Sequence, residues 1–232
     1  LYLFTLGNKN GLQIRISTLG AAIVGLHAPN RHGLLANIVY SKAMDAGIHL
    51  LPAPGHALHR LAWHAVPLVE DARVGLRLVS PGPHAVVATY FLDDTNELSL
   101  RCEAAAAAHS SVCLRMAFNL AGEGDVLAQL LTVRAARVVP TGAHEQEVAG
   151  TPWDCRLARP VGELPGQARY LLEPGAGIVL RLMDLASGRL LNMSTDAASL
   201  RLGAGEPPSH LWLEPCMAAA GGTLRLQFGT GA

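Results

Sequence analysis

Short runs of alternating apolar and polar residues, each closed by turn residues, most constrain how this chain can fold. Leu12–Ser17 (LQIRIS) and Val74–Val79 (VGLRLV) alternate with period two, and Gly177–Leu182 (GIVLRL) is similar. That period places successive side chains on opposite faces of a strand. Between such runs stand Asn10-Gly11, Pro81-Gly82-Pro83, Asp93-Asp94-Thr95-Asn96, Pro174-Gly175 and Ser187-Gly188. These residue types accept the left-handed or fixed backbone angles of tight turns. Many short strands with Gly/Pro turns predict an all-β chain, an antiparallel sandwich or barrel. No internal repeat or linker-like stretch interrupts the 232 residues, half of them hydrophobic. One domain spanning 1–232, with a large buried core, is therefore expected.

Glu103–Ala108 (EAAAAA) pulls toward helix, because alanine loses no side-chain entropy there. Its flanks, TYFLDDTNELSLRC and SVCLRMAFNL, have strand character. Strand is expected, since packing against neighbours commonly overrides propensity.

Eighteen basic and 18 acidic residues cancel without forming a run of one sign. Neither a nucleic acid nor an anionic membrane is an expected partner. No apolar stretch reaches the roughly 18 residues needed to cross a bilayer, and no secretory leader is legible after Leu1. Cys102, Cys113, Cys155 and Cys216 show no CxxC spacing. A hairpin of Glu97–Ala107 with Ser111–Leu120 would leave Cys102 and Cys113 several residues out of register. All four are therefore expected as reduced core thiols in a cytoplasmic protein.

Val139–Arg156 (VPTGAHEQEVAGTPWDCR) resembles the turn-and-strand signature of the aldose 1-epimerase, or galactose mutarotase, family. In that family a Pro-Thr-Gly turn leads into Gly-Thr-Pro-aromatic-Asp-x-Arg. Four further segments resemble the family in the same order: Asn10–Gly33, Phe118–Gly122 (FNLAG), Ala186–Thr195 (ASGRLLNMST) and Leu213-Glu214. The resemblance implies a large antiparallel β-sandwich of galactose mutarotase-like type and a free sugar as partner, with no cofactor and no metal. It implies interconversion of α and β anomers: a base removes the C1 hydroxyl proton, an acid protonates the ring oxygen, and the opened ring recloses. The family's Gly-Arg-x-x-Asn-Arg segment is missing between the early strands and Ile48–Trp63.

The resemblance places Glu214 on the family's base. Read as a strand, HLWLEP puts His210, Trp212 and Glu214 on one face, and His210 is the nearest candidate acid. Gln129 aligns with the general-acid histidine; an amide can hydrogen-bond a ring oxygen but has no proton to shuttle. Pro52 aligns with a second histidine. Arg115 aligns with the histidine that precedes Phe-Asn-Leu, where it could grip a hydroxyl or an anion, and Ala117 takes the place of a tyrosine. The binding aspartate falls near Gln167. Glu214 and His210 are thus the candidate catalytic residues, and Arg115, Gln129, Trp212 and Gln167 the candidate sugar contacts. His49, His56, His59 and His64 fit no standard zinc spacing and are expected to be solvated or packing residues. Three readings remain open at this level: an active epimerase, a non-catalytic sugar-binding relative, and a structural or interaction domain.

Overall fold

The computed structural model describes every residue except 41–45, 52–57, 72, 83–84, 105–110, 174, 176, 219–220 and 232. The strands β1 (Leu3–Gly7), β2 (Gln13–Ser17), β3 (Ile23–Pro29) and β4 (Leu35–Asn37) pair in that order as a four-stranded sheet. β5 (Gly47–Leu51) is the edge of a second sheet, and β6 (His64–Glu70), β7 (Arg73–Val79), β8 (Val86–Leu92) and β9 (Glu97–Ala104) form an antiparallel meander in a third. The chain continues as β10 (Ser111–Phe118), β11 (Leu130–Val133), β12 (Arg137–Pro140), β13 (Gln146–Glu147), β14 (Arg159–Pro160) and β15 (Ala168–Leu171). It ends with β16 (Ile178–Met183), β17 (Arg189–Thr195), β18 (Ser199–Ala204), β19 (Leu211–Ala218) and β20 (Gly222–Thr230).

Two large antiparallel sheets result, with orders β13-β12-β15-β18-β19-β10-β5 and β14-β11-β16-β17-β20-β9-β8-β7-β6. The all-β sandwich expected from the sequence is what forms. The period-two runs became β2, β7 and β16, and Gly11, Asn96 and Gly188 take positive φ at their turns. Among the described residues the helical elements are two 3-10 turns, Leu58–Arg60 and Val161–Glu163. No helix among them is long and apolar enough to cross a membrane.

Inward residues of both large sheets, such as Leu100, Tyr90, Leu182 and Phe228 on one side and Leu114, Leu200, Leu213 and Tyr170 on the other, join one buried apolar cluster. Burying each such side chain contributes about 1.5–3 kcal/mol before the entropy of ordering it is counted. Tyr90 is fully buried, and its hydroxyl donates to the Ala21 carbonyl at 2.7 Å, tying the nine-stranded sheet to the four-stranded one. Burial pushes the Tyr90 phenol well above its ordinary pKa, so it stays a neutral donor. Next to Ala21, Gly20 has φ +66°, and a Cβ there would lie 2.6 Å from the His59 backbone; only glycine fits.

Two expectations are corrected. Glu97–Ala104 does not pair with Ser111–Phe118: β9 lies between β8 and β20, whereas β10 lies between β5 and β19. The chain changes sheet there, and of Glu103–Ala108 the residues Glu103 and Ala104 close β9 while 105–108 lie outside the described residues. Nor are all four cysteines thiols. Cys113 and Cys216 form a disulfide, because β10 and β19 set them directly opposite each other with Cα atoms 4.1 Å apart, the close spacing of a non-hydrogen-bonded pair. Their separation of 103 residues hides that contact from the sequence. Cys102 and Cys155 are free and buried as expected. With a disulfide present, the cysteines no longer argue for a reducing compartment.

Candidate functional site

The strands of the seven-stranded sheet alternate leucines inward with polar residues outward, and the outward residues line up across strands. In β19 Leu211 and Leu213 are buried in the core, while Trp212 and Glu214 take the other face. The flanking pairs Cys113–Cys216 and Met116–Leu213 set Arg115 of β10 opposite Glu214. On the other side Glu214 is opposite Arg201 of β18, and Arg201 is opposite Arg169 of β15. One row therefore reads Arg115, Glu214, Arg201, Arg169 across adjacent strands spaced roughly 4.8 Å apart.

A pocket of about 450 Å³ opens over this row. Arg115, Arg201 and Arg169 line it, with Trp212 and Gln167 beside them. The turn Val139–Ala143 forms the opposite wall. It is held by Ala143 N–H donating to the Pro140 carbonyl and Thr141 N–H donating to the Gln167 carbonyl, and Gly142 has φ +78°. The Pro-Thr-Gly sequence thus builds a wall rather than supplying reacting groups.

Glu214 sits beneath the pocket with its side chain only 5 % exposed. Arg115 Nε donates to its Oε2 at 2.7 Å, and Arg201 Nη1 lies 3.5 Å from Oε1. The Arg115 guanidinium also stands 4.8 Å over the Trp212 ring, a favourable cation–π placement. Three of the sequence candidates, Arg115, Trp212 and Gln167, line one pocket with Glu214 below it.

Two candidates lie elsewhere. Gln129 is buried in the fold, where its Nε2 donates to Asn119 Oδ1 at 2.8 Å and its Oε1 accepts from Leu120 N–H. Asn119 in turn donates to the carbonyls of Glu123, Gly124 and Ser209, so the Phe-Asn-Leu segment and Gln129 brace loops. His210 precedes β19 and stacks on Tyr40 with ring centroids 4.3 Å apart. Burial lowers its pKa below the ordinary histidine range, and four residues of strand, roughly 13 Å, separate it from Glu214 with Trp212 between them. Among the described residues no histidine lines the pocket. Pro52 and His56 lie outside the described residues; His49 stacks on His59 at 4.3 Å, and His64 is exposed on β6.

The described residues contain one metal-like cluster, Cys113, Glu214 and Cys216, with ligand atoms within 4.8 Å of one another. Its sulfurs are joined as a disulfide and its carboxylate is held by arginines, so neither thiolate is available as a ligand.

Arg169 and Arg201 escaped the sequence reading. The signal was present in ARYL and SLRLGA, where apolar neighbours force each arginine outward. What was missing was the order of strands that sets both beside Glu214. Two other segments that resemble the family's motifs are structural here. Arg189 of Ser-Gly-Arg is buried and donates to the carbonyls of Ala28, Leu34, Leu120 and Ala121. Asp154 of Thr-Pro-Trp-Asp-x-Arg takes both Nε and Nη2 of Arg156, which holds its carboxyl down at about 2.

No protein-family model matches the sequence, and no curated protein matches it. Solved structures do match. A GalM/aldose epimerase homologue from C. elegans superposes with a TM-score of 0.81 over 100 % of this chain and 99 % of that one, at 17 % identity. Galactose 1-epimerase from Lactobacillus acidophilus NCFM gives 0.78 over 99 % and 95 %, at 18 % identity. The backbone fold is therefore shared while most residues differ: this chain has the fold of the galactose mutarotases and aldose epimerases.

Proposed function

We propose that this chain binds an aldose in the pocket between Trp212 and the Val139–Ala143 turn, where the described residues do not assemble an acid–base pair for interconverting anomers. Pockets of this size, with an aromatic platform and a few polar groups, suit a single monosaccharide. Trp212 offers the apolar face of a sugar the part of its ring that borders the pocket beside Arg115; Arg115 and Gln167 supply hydrogen bonds to its hydroxyls. The observation that carries the reading is the state of Glu214, whose two oxygens already face Arg115 and Arg201. A base must accept a proton from the C1 hydroxyl, and the partner acid must reach the ring oxygen on hydrogen-bond geometry. Gln129 is committed to Asn119 and His210 to its stack on Tyr40.

The test is titration calorimetry with hexoses, run beside polarimetry of freshly dissolved α-glucose and α-galactose. Saturable binding with a mutarotation rate equal to buffer is expected. Acceleration over buffer that disappears in Glu214→Gln would establish an active epimerase instead. Absence of both binding and acceleration would leave a structural or interaction domain.

A further inference from the structure

We infer that the sugar this pocket takes carries an anionic group, a carboxylate or a phosphate, held by Arg169 and Arg201. The inference rests on the sugar-binding reading above and adds the charge of the ligand.

Three guanidiniums line the pocket, and no aspartate or glutamate is among its described lining residues. Glu214 below neutralises one charge, so the site retains a net charge of about two positive. The compensation is uneven. Arg115 makes the short contact with Glu214 at 2.7 Å, while Arg201 reaches it only at 3.5 Å and keeps a side chain 42 % exposed. Arg169 is exposed and forms no ion pair among the described residues. Yet Arg169 and Arg201 are directly opposed on neighbouring strands. Like charges at such positions repel and destabilise a sheet, and nothing in the packing of the sheet requires two arginines there. An oxyanion between them would relieve the repulsion and accept paired N–H donors from both forks.

The geometry also fits one molecule with two ends. Trp212 and Gln167 lie one side-chain row away from Arg201 and Arg169 on the same face, since Trp212 is opposite Gly203 and precedes Glu214 by two residues. That row step is about 7 Å, so a pyranose lying beside Trp212 would extend a carboxylate or phosphate at C6 toward the two guanidiniums, whose long side chains cover the remaining distance. A neutral hexose would leave both guanidiniums solvated and gain nothing from them.

The experiment is calorimetric titration of the full chain at low ionic strength with galactose, galacturonate, galactose 6-phosphate and inorganic phosphate. At least one anionic sugar is expected to bind ten times or more tighter than galactose, and which one identifies the anion. The preference is expected to shrink as salt is raised from about 0.05 to 0.5 M. Arg169→Gln, checked for an unchanged melting profile, is expected to lose most of the preference while keeping galactose affinity within a few-fold, and Arg201→Gln is expected to lose most of the preference as well. Galactose binding equal to or tighter than both anionic sugars overturns the inference and leaves the sugar-binding reading standing. Inorganic phosphate binding as tightly as galactose 6-phosphate overturns it as well, by showing an anion site that ignores the sugar. An unchanged preference in both variants does the same. If none of the sugars binds, the sugar-binding reading falls and this inference falls with it.

Discussion

Arg115 Nε donates to Glu214 Oε2 at 2.7 Å across the β10–β19 pair, with the Glu214 side chain 5 % exposed. The family resemblance puts a catalytic base at Glu214, and in the structure the carboxylate is the partner of two arginines. Glu214→Gln keeps the shape and removes the charge, leaving Arg115 and Arg201 without a counterion. Removing one member of a largely buried pair is costly. A loss of about 2 kcal/mol is expected, or roughly 4–8 °C in melting temperature, read by circular dichroism.

Arg189 holds four carbonyls of the N-terminal sheet and the Leu120–Ala121 turn from a buried position. Arg189→Met fills much of the volume but leaves those acceptors without their donors, each a desolvation cost of about 1–3 kcal/mol unless water replaces it. The expected loss is about 3 kcal/mol, measured by urea unfolding. Arg189→Lys is expected to recover only part, since one ammonium cannot reach the spread that the guanidinium fork covers.

The Cys113–Cys216 disulfide closes a loop of 103 residues in sequence separation. Chain-entropy arguments give a loop of that length about 4–5 kcal/mol of stabilisation through the unfolded state. Adding a thiol reductant is expected to lower the melting temperature of the wild type by about 10 °C. Cys113→Ala is expected to melt at the lower temperature with or without reductant; a reductant-sensitive melt in that variant would assign the effect elsewhere.

Asp154 is held at about 2 by Arg156. Its folded pKa is below its unfolded value, so the pair stabilises above about pH 4 and the contribution fades as pH falls toward 2. Arg156 is 49 % exposed and Asp154 25 % exposed, so solvent screening limits the effect to about 0.5–1 kcal/mol. Asp154→Asn is expected to melt one to a few degrees lower at pH 7 (about 2–4 °C per kcal/mol), with the gap to wild type closing as pH is lowered below 4.

The alternating runs of β2, β7 and β16 and their Gly and Asn turns were legible directly, because side-chain period and positive φ are local properties. The outward pair Trp212 and Glu214 was legible for the same reason, whereas the turn within Val139–Arg156 was legible through the family resemblance, and its place as a pocket wall came from the structure. Gln129 shows the limit. Its position in the chain matched a catalytic residue, but its amide turns into the fold to brace Asn119. A side chain's direction there depends on a loop contact ten residues away, which no local pattern encodes.

By itself the sequence determined an antiparallel all-β chain, a sandwich or a barrel, since alternation and turn chemistry act over a few residues, and the family resemblance pointed to the sandwich. Only the tertiary structure decided which strands became neighbours. That order joined Cys113 to Cys216, gave Glu214 its two arginines, and set Arg169 against Arg201. The physical reason is range: periodicity chooses the face of a strand, whereas pairing between distant strands chooses what stands beside it on that face.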